Sequence, residues 1–159
     1  MIRVDRQALV PYTAEQMFAL VDDIEAYPTY LSSCKSATIL SRNADILEAE
    51  LCLAKSGIEQ RFSTRNTNKK FEHIQIQLLH GPFSELQGDW SFTEVEGLGC
   101  KIEFHLAFEM KRSLLNKLIS GLVVEASNKL VDAICQRANE IYAIKVDSIA
   151  NTTDLEIKN

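Results

Sequence analysis

The sequence predicts one α+β domain in which a curved, seven-stranded antiparallel sheet holds a long C-terminal helix over an apolar cavity. Three observations carry this. Residues 35–110 form a series of segments that alternate apolar and polar residues between short turns. That is the pattern of an antiparallel meander with one buried face. A further strand and a capped short helix come before them. From about Ser113 to Tyr142 the apolar residues switch to helical spacing, as on a helix lying across a sheet.

In residues 2–10, Ile2, Val4, Ala8 and Val10 alternate with Arg3, Asp5 and Gln7, and Pro11 ends the strand. Thr13-Ala14-Glu15-Gln16 reads as a capping box, with Thr13 at the N-cap and Gln16 at the third helical position. Met17, Leu20, Val21 and Ile24 follow at helical spacing. Tyr27-Pro28 stops this helix, because a residue before proline avoids the α region, and a short second turn carries Tyr30 and Leu31.

Asn43-Ala44-Asp45 separates a run around Ile39 from the alternating Leu47, Ala49, Leu51 and Leu53. After Lys55-Ser56-Gly57, Ile58, Phe62 and Thr64 share one face, and Glu59, Arg61, Ser63 and Arg65 the other. Asn66-Thr67-Asn68-Lys69 is expected to turn the chain into Ile74, Ile76 and Leu78. Gly81-Pro82 breaks it again. Leu86, Gly88, Trp90 and Phe92 alternate in the next strand, and beyond Gly97-Leu98-Gly99 so do Ile102, Phe104, Leu106, Phe108 and Met110. On the final helix, Leu115, Leu118, Ile119, Leu122, Val123, Ala126, Leu130, Ile134, Ala138 and Ile141 form a wide stripe, roughly 45 Å long at 1.5 Å per residue. The domain is placed at residues 1–145, followed by a polar, frayed tail at 146–159. Gly88 and Gly121 either pack closely or leave room beneath the helix.

With 159 residues, 46% of them hydrophobic and 25% charged, the chain suits one ordinary globular domain. A net charge of -5 is opposite to that of a protein built mainly to grip phosphate backbones. No apolar run reaches the roughly 20 residues of a membrane helix. The first residues lack the apolar stretch of a signal peptide, so the protein is expected in a cytoplasm, with its mature form starting at residue 1. Cys34, Cys52, Cys100 and Cys135 are too far apart for a zinc or redox motif and read as buried reduced thiols. His73, His80 and His105 lie on strands, and no nucleophile–histidine–acid set or phosphate-cradling glycine loop accompanies them. Binding rather than catalysis is expected, with no metal and no cofactor.

Several segments resemble the coenzyme-Q-binding and ribosome-association-toxin proteins of the START-like (Bet v 1-like) superfamily. They are Ala8-Leu9-Val10-Pro11-Tyr12, Ala14-Glu15-Gln16-Met17-Phe18, Tyr27-Pro28, Lys55-Ser56-Gly57-Ile58, Phe62-Ser63-Thr64-Arg65-Asn66, Gly81-Pro82-Phe83, Trp90-Ser91-Phe92-Thr93, Cys100 to Leu106, and Arg137-Ala138. The chain departs from that pattern at Ser32-Ser33, where proline often stands. The resemblance implies a helix-grip fold and two roles. One is a lipid chaperone that holds ubiquinone or another polyprenyl quinone in support of respiration. The other is a toxin that binds the large ribosomal subunit, blocks subunit joining and is paired with an antitoxin. Other members of the superfamily are aromatic polyketide cyclases.

For the first role, the cavity is expected between Phe62, Leu78, Trp90, Phe92, Phe104, Leu106 and Phe108 on the sheet and Leu118, Leu122 and Ala126 on the helix. Thr64, Trp90 and the phenols of Tyr27 or Tyr30 would serve a quinone head as donors. Burial of the tail would contribute about 0.8 kcal/mol per methylene. The mouth would lie between the Tyr-Pro segment and the start of the long helix. Periodicity alone reads these side chains as packed core; the resemblance turns them toward a ligand. It also points to Trp90 as a tunnel residue, whose replacement by alanine should weaken quinone retention in a folded protein. For the second role, Arg61, Arg65, Lys69 and Lys70 share one hairpin, and Lys111, Arg112 and Lys117 lie near the helix start. Glu59, Glu72 and Glu109 dilute both groups, so ordinary solvated charge is the plainer reading.

Overall fold

The computed structural model describes residues 1–112 and 116–143. The order is β1 (Ile2–Val10), α1 (Ala14–Asp22), a 3₁₀ turn (Ile24–Ala26), α2 (Tyr27–Tyr30), β2 (Cys34–Asn43), β3 (Ile46–Lys55), β4 (Ile58–Lys69), β5 (His73–His80), β6 (Phe83–Val95), β7 (Gly99–Met110) and α3 (Asn116–Ala138), which runs into a π turn at Asn139–Ala143. The seven strands form one antiparallel sheet, ordered β1-β7-β6-β5-β4-β3-β2. Consecutive strands are neighbours, and β1 closes against β7, so the two ends of the chain's strand order meet. Register shifts at Cys34/Ser36, Ile39/Ser41, Ser63/Thr64 and Phe83/Glu85 supply the extra residues that coil a sheet. This is the expected helix-grip architecture.

Local chemistry sets the element ends. The Gln16 amide donates to Thr13 Oγ1 at 3.1 Å, and the Thr13 amide donates to Gln16 Oε1 at 2.9 Å, completing the capping box. Pro28 sits in the first turn of α2, where its missing N–H leaves no bond unmade. At the far end, Tyr12 donates to Asn139 Oδ1 at 2.6 Å and Tyr142 to the Gln16 carbonyl at 3.1 Å, tying the end of the long helix to the β1–α1 connection and to α1. Arg6 pairs with Asp132 at 2.6 Å across the same seam.

The turn expected at Asn66–Lys69 is displaced. β4 continues to Lys69, and the chain reverses around Phe71, which takes a φ of 66°. Both asparagines are held in the strand by their side chains. Thr64 Oγ1 donates to Asn66 Oδ1 at 3.2 Å, and Asn68 Nδ2 donates to Asp22 Oδ1 at 3.0 Å. Phe71 then packs edge-on against Phe18 at 5.8 Å. Tertiary anchoring overrides the turn preference of asparagine.

On α3, the face formed by Ile119, Leu122, Val123, Ala126, Val131, Ile134 and Ala138 is buried. Leu118 falls off that stripe and is 55% exposed. The expected first turn, including Ser113 and Leu115, and the tail at 146–159 lie outside the described residues. The two glycines resolve differently. A Cβ on Gly88 would meet the His105 carbonyl oxygen and lie 3.1 Å from Leu106 Cδ1, so close packing holds there. A Cβ on Gly121 would meet nothing within 4 Å, because this residue faces away from the sheet and leaves no room in the core. Gly121→Ala should therefore stabilise the protein by about 0.5–1 kcal/mol through helix propensity alone, measurable by chemical denaturation. A destabilisation would mean that this face of α3 is covered. No helix among the described residues is long and apolar enough to cross a membrane.

Candidate ligand cavity

Between the concave face of the sheet, the middle of α3 and the segment from α1 to β2 lies a cavity of about 100 Å³. The sheet contributes Ala49, Leu51 and Leu53 from β3, Phe62, Thr64 and Asn66 from β4, and Ile76 from β5. Leu86 and Trp90 come from β6, and Phe104 and Leu106 from β7. The period-two spacing within each strand is what delivers these sets to one face. Val123, Ala126, Ser127 and Leu130 cover the cavity from α3, while Val21, Ile24, Tyr27, Leu31 and Cys34 close the side. None of these residues is an acid, a lysine, an arginine or a histidine.

Of the side chains expected to line the cavity, Tyr27, Phe62, Thr64, Trp90, Phe104, Leu106 and Ala126 do so. The others are placed elsewhere, for identifiable reasons. Phe108 is fully buried but packs T-shaped on Phe83 at 5.6 Å, and Phe83 packs on Phe62 at 5.6 Å, so these rings plug one end of the core. Phe92 packs on Phe18 beneath α1, at 5.5 Å. Leu78 stands opposite Thr64 where the β4–β5 register slips, and Ile76 takes its place in the wall. Leu122 is buried beside the cavity without lining it, and Leu118 points to solvent. Tyr30 leans against Tyr27 at 6.1 Å and lies under the Arg137 guanidinium at 5.8 Å. α3 meets the cavity from Val123 onward, so the described start of this helix does not contribute to its wall. Asn66 was missed because it was read as a turn residue; its parity with Phe62 and Thr64 was the signal that would have found it.

The phenol of Tyr27 donates to the Val21 carbonyl oxygen, and burial holds it protonated, well above the usual tyrosine range. Burial also raises Tyr30 and pushes the Cys34 thiol up to about 11. The Ser127 hydroxyl donates back to the Val123 carbonyl at 2.7 Å. Trp90 is 2% exposed, tilted on Phe104 at 4.5 Å and stacked along Phe92 at 6.4 Å. The cavity is thus apolar, neutral and sparsely polar, which suits an uncharged hydrophobic group and would leave an ion unpaired.

The basic hairpin has a different character from a phosphate-binding patch. Arg61 and Arg65 are exposed on the outer face as expected, but Arg61 pairs with Glu50 at 3.1 Å and Arg65 with Glu48 at 2.9 Å. Lys69 pairs with Glu72 at 3.1 Å, Lys35 pairs with Glu59, and Lys70 sits 5.2 Å over the Phe71 ring. His73 and His105 lie on the outer face too, bonded to Asp89 at 2.9 Å and to Asp5 at 2.7 Å. The Asp5 hydrogen bond raises the His105 pKa.

Residues 10–135 match the family described as polyketide cyclase / dehydrase and lipid transport. The chain is 38% identical over 139 residues to the ribosome association toxin RatA of Pseudomonas aeruginosa, covering 87% of this chain and 96% of that protein. It is 24% identical over 147 residues to the mitochondrial coenzyme Q-binding protein COQ10 homolog B of Xenopus laevis, covering 89% of this chain and 59% of that one. A START superfamily protein from Mycobacterium smegmatis superposes with a TM-score of 0.73 at 22% identity, over 87% of this chain and 98% of its own. The chain therefore belongs to the polyketide cyclase/dehydrase and lipid transport family, START-like in fold, within the group that holds the ribosome association toxins and the coenzyme-Q-binding proteins.

Proposed function

We propose that the chain binds an uncharged hydrophobic ligand of the polyprenyl quinone kind, holding its ring in the cavity, and does so without chemistry on it. The observation that carries this reading is the partly open apolar cavity with no charged side chain in its wall. Its volume of about 100 Å³ is of the order of the roughly 150 Å³ apolar cavity that takes one benzene. That is smaller than the benzene-binding cavity, so a ring enters only as the wall side chains yield; a long isoprenoid tail has to continue outside this space, so ring burial replaces tail burial as the main contact. Tyr27 and Cys34, the titratable groups in the wall, are held protonated and offer no base at neutral pH. Trp90 is the only tryptophan, which makes its fluorescence a local reporter. Titration with decyl-tailed ubiquinone should quench it saturably at one ligand per chain. Quenching that tracks a free-tryptophan control would sink the reading.

A second reading, association with the large ribosomal subunit, is favoured by the 38% identity to the Pseudomonas aeruginosa toxin. If the β3–β4 hairpin makes that contact, Arg61→Glu with Arg65→Glu should reduce co-sedimentation with large subunits at least tenfold. Stability should change by no more than about 1 kcal/mol, since exposed ion pairs contribute little. Undiminished co-sedimentation would remove this hairpin from the ribosome contact.

A further inference from the structure

The chain carries a net charge of -5, yet its unpaired cations gather at one end of the molecule. Ten of the described lysines and arginines stand in ion pairs with acids, as Arg61 does with Glu50 and Lys101 with Glu103. Among the described residues, Arg3, Lys70, Lys111, Arg112 and Lys117 do not. Lys70 lies over the Phe71 ring, at the opposite end of the sheet. The other four are exposed where β1 starts, β7 ends and α3 begins. Arg3 stands opposite Ala107 on β7. Lys111 is fixed just beyond that strand by its amide, which donates to the Pro82 carbonyl at 2.9 Å. Five peptide steps separate Arg112 from Lys117, so their Cα atoms lie within about 18 Å of each other.

From Met110 to Val124 the sequence contains no acid. Of the two acids that border this stretch, Glu125 is held by both Lys55 and Lys129, and Glu109 stands opposite Glu85 on the outer face of the sheet. Beside the cations the surface is apolar. Leu118 is exposed, and Gly121 and Val124 continue its line along α3 at three-residue spacing. A Cβ on Gly121 would meet nothing within 4 Å, so the helix surface there is low and uncovered. Cations around an exposed leucine and a flat apolar helix face are the composition of an interfacial membrane contact. A face for single-stranded nucleic acid would set aromatic rings beside its cations for stacking. Phe83 and Phe108, the rings next to the end of β7, are instead buried.

We propose that this end of the molecule docks on an anionic lipid bilayer, with Lys111, Arg112 and Lys117 over the headgroups, Leu118 reaching between them and Arg3 at the flank. The proposal goes beyond the cavity reading and does not depend on what the cavity holds. Each cation near an anionic leaflet contributes about fivefold in affinity, and the attraction fades over a Debye length of about 10 Å at 0.1 M salt.

The test is sedimentation of the full chain with vesicles of phosphatidylcholine alone, or with about 30% phosphatidylglycerol, at about 0.1 M salt. Binding to the anionic vesicles should be at least about tenfold tighter, and about 0.5 M salt should release the protein. That readout needs no variant to fold. Lys111→Gln with Arg112→Gln and Lys117→Gln should weaken binding about a hundredfold, and Leu118→Ser about fivefold. Lys35→Gln with Arg42→Gln and Lys101→Gln removes as much charge from ion pairs elsewhere and should cost no more than about threefold. Equal binding to the two kinds of vesicle, or equal losses in the two triple variants, overturns the proposal. So does undiminished vesicle affinity in Leu118→Ser when the Lys111, Arg112 and Lys117 variant also stops binding a polyuridylate strand, which would assign the face to RNA. None of these results bears on ring binding in the cavity, which solvent extraction reads separately.

Discussion

Trp90→Ala is expected to destabilise the protein by about 3–5 kcal/mol, the range for removing a buried aromatic side chain. The indole is 2% exposed and wedged between Phe104 at 4.5 Å and Phe92 at 6.4 Å, so its loss forfeits contacts on both faces. The space left would join the existing cavity rather than collapse, which places the cost toward the upper end. Against a total stability of about 5–15 kcal/mol, this lowers the melting temperature by roughly 10 °C or more. A variant that only loses quinone retention while keeping its stability, as the sequence suggests, is therefore not the expected result, and Trp90→Phe is the better probe of ligand contacts. Urea denaturation of the two variants decides it. A loss below about 1 kcal/mol for alanine would show that the indole is not integrated into the core.

Gly99→Ala is the second large effect. Gly99 opens β7 with a φ of 124°, a conformation open to glycine and strained for other residues. A Cβ there would run into the Val10 carbonyl oxygen and lie 2.8 Å from Pro11 Cα, both of them backbone atoms of the strand end that pairs with β7. Dihedral strain of about 1–3 kcal/mol adds to overpacking of about 1–3 kcal/mol. Gly97 provides an internal control in the same turn. Its φ is also positive, at 77°, but a Cβ on it would meet nothing within 4 Å. Gly97→Ala should therefore cost only about 1 kcal/mol. Equal losses for the two variants, measured by thermal or urea unfolding, would contradict the contact account.

Much of this molecule was legible in its sequence because antiparallel meanders and amphipathic helices write their burial into residue spacing. The alternation of Leu47 to Leu53 and of Ile102 to Phe108, the Thr13–Gln16 box and the stripe from Ile119 to Ala138 all appear in the fold as their spacing predicts. What spacing does not carry is position along a shared face. Phe92, Trp90, Phe104 and Phe108 have the same inward orientation. Yet Phe92 lies under α1, Phe108 lies in an aromatic plug, and only Trp90 and Phe104 reach the cavity. That division depends on sheet coiling and on which rings fill each end. Leu118 misled because an apolar residue at one edge of a wide stripe turns outward with a few tens of degrees of helical phase. Asn66 misled in the opposite sense, as its turn chemistry is satisfied instead by a hydroxyl two residues away inside the strand. The charged hairpin illustrates a third limit. Arg61 and Arg65 read as solvated charge diluted by nearby glutamates, but their specific pairing with Glu50 and Glu48 follows from the β3–β4 register, which spacing does not give.

The central claim, that the cavity holds an uncharged hydrophobic ring, is tested most directly by extracting the protein with organic solvent after purification from a quinone-producing host. Mass spectrometry of the extract should show a polyprenyl quinone at close to one per chain. An extract free of quinone and of any other neutral lipid, from protein whose Trp90 remains buried, would contradict the claim and leave the cavity as packed core.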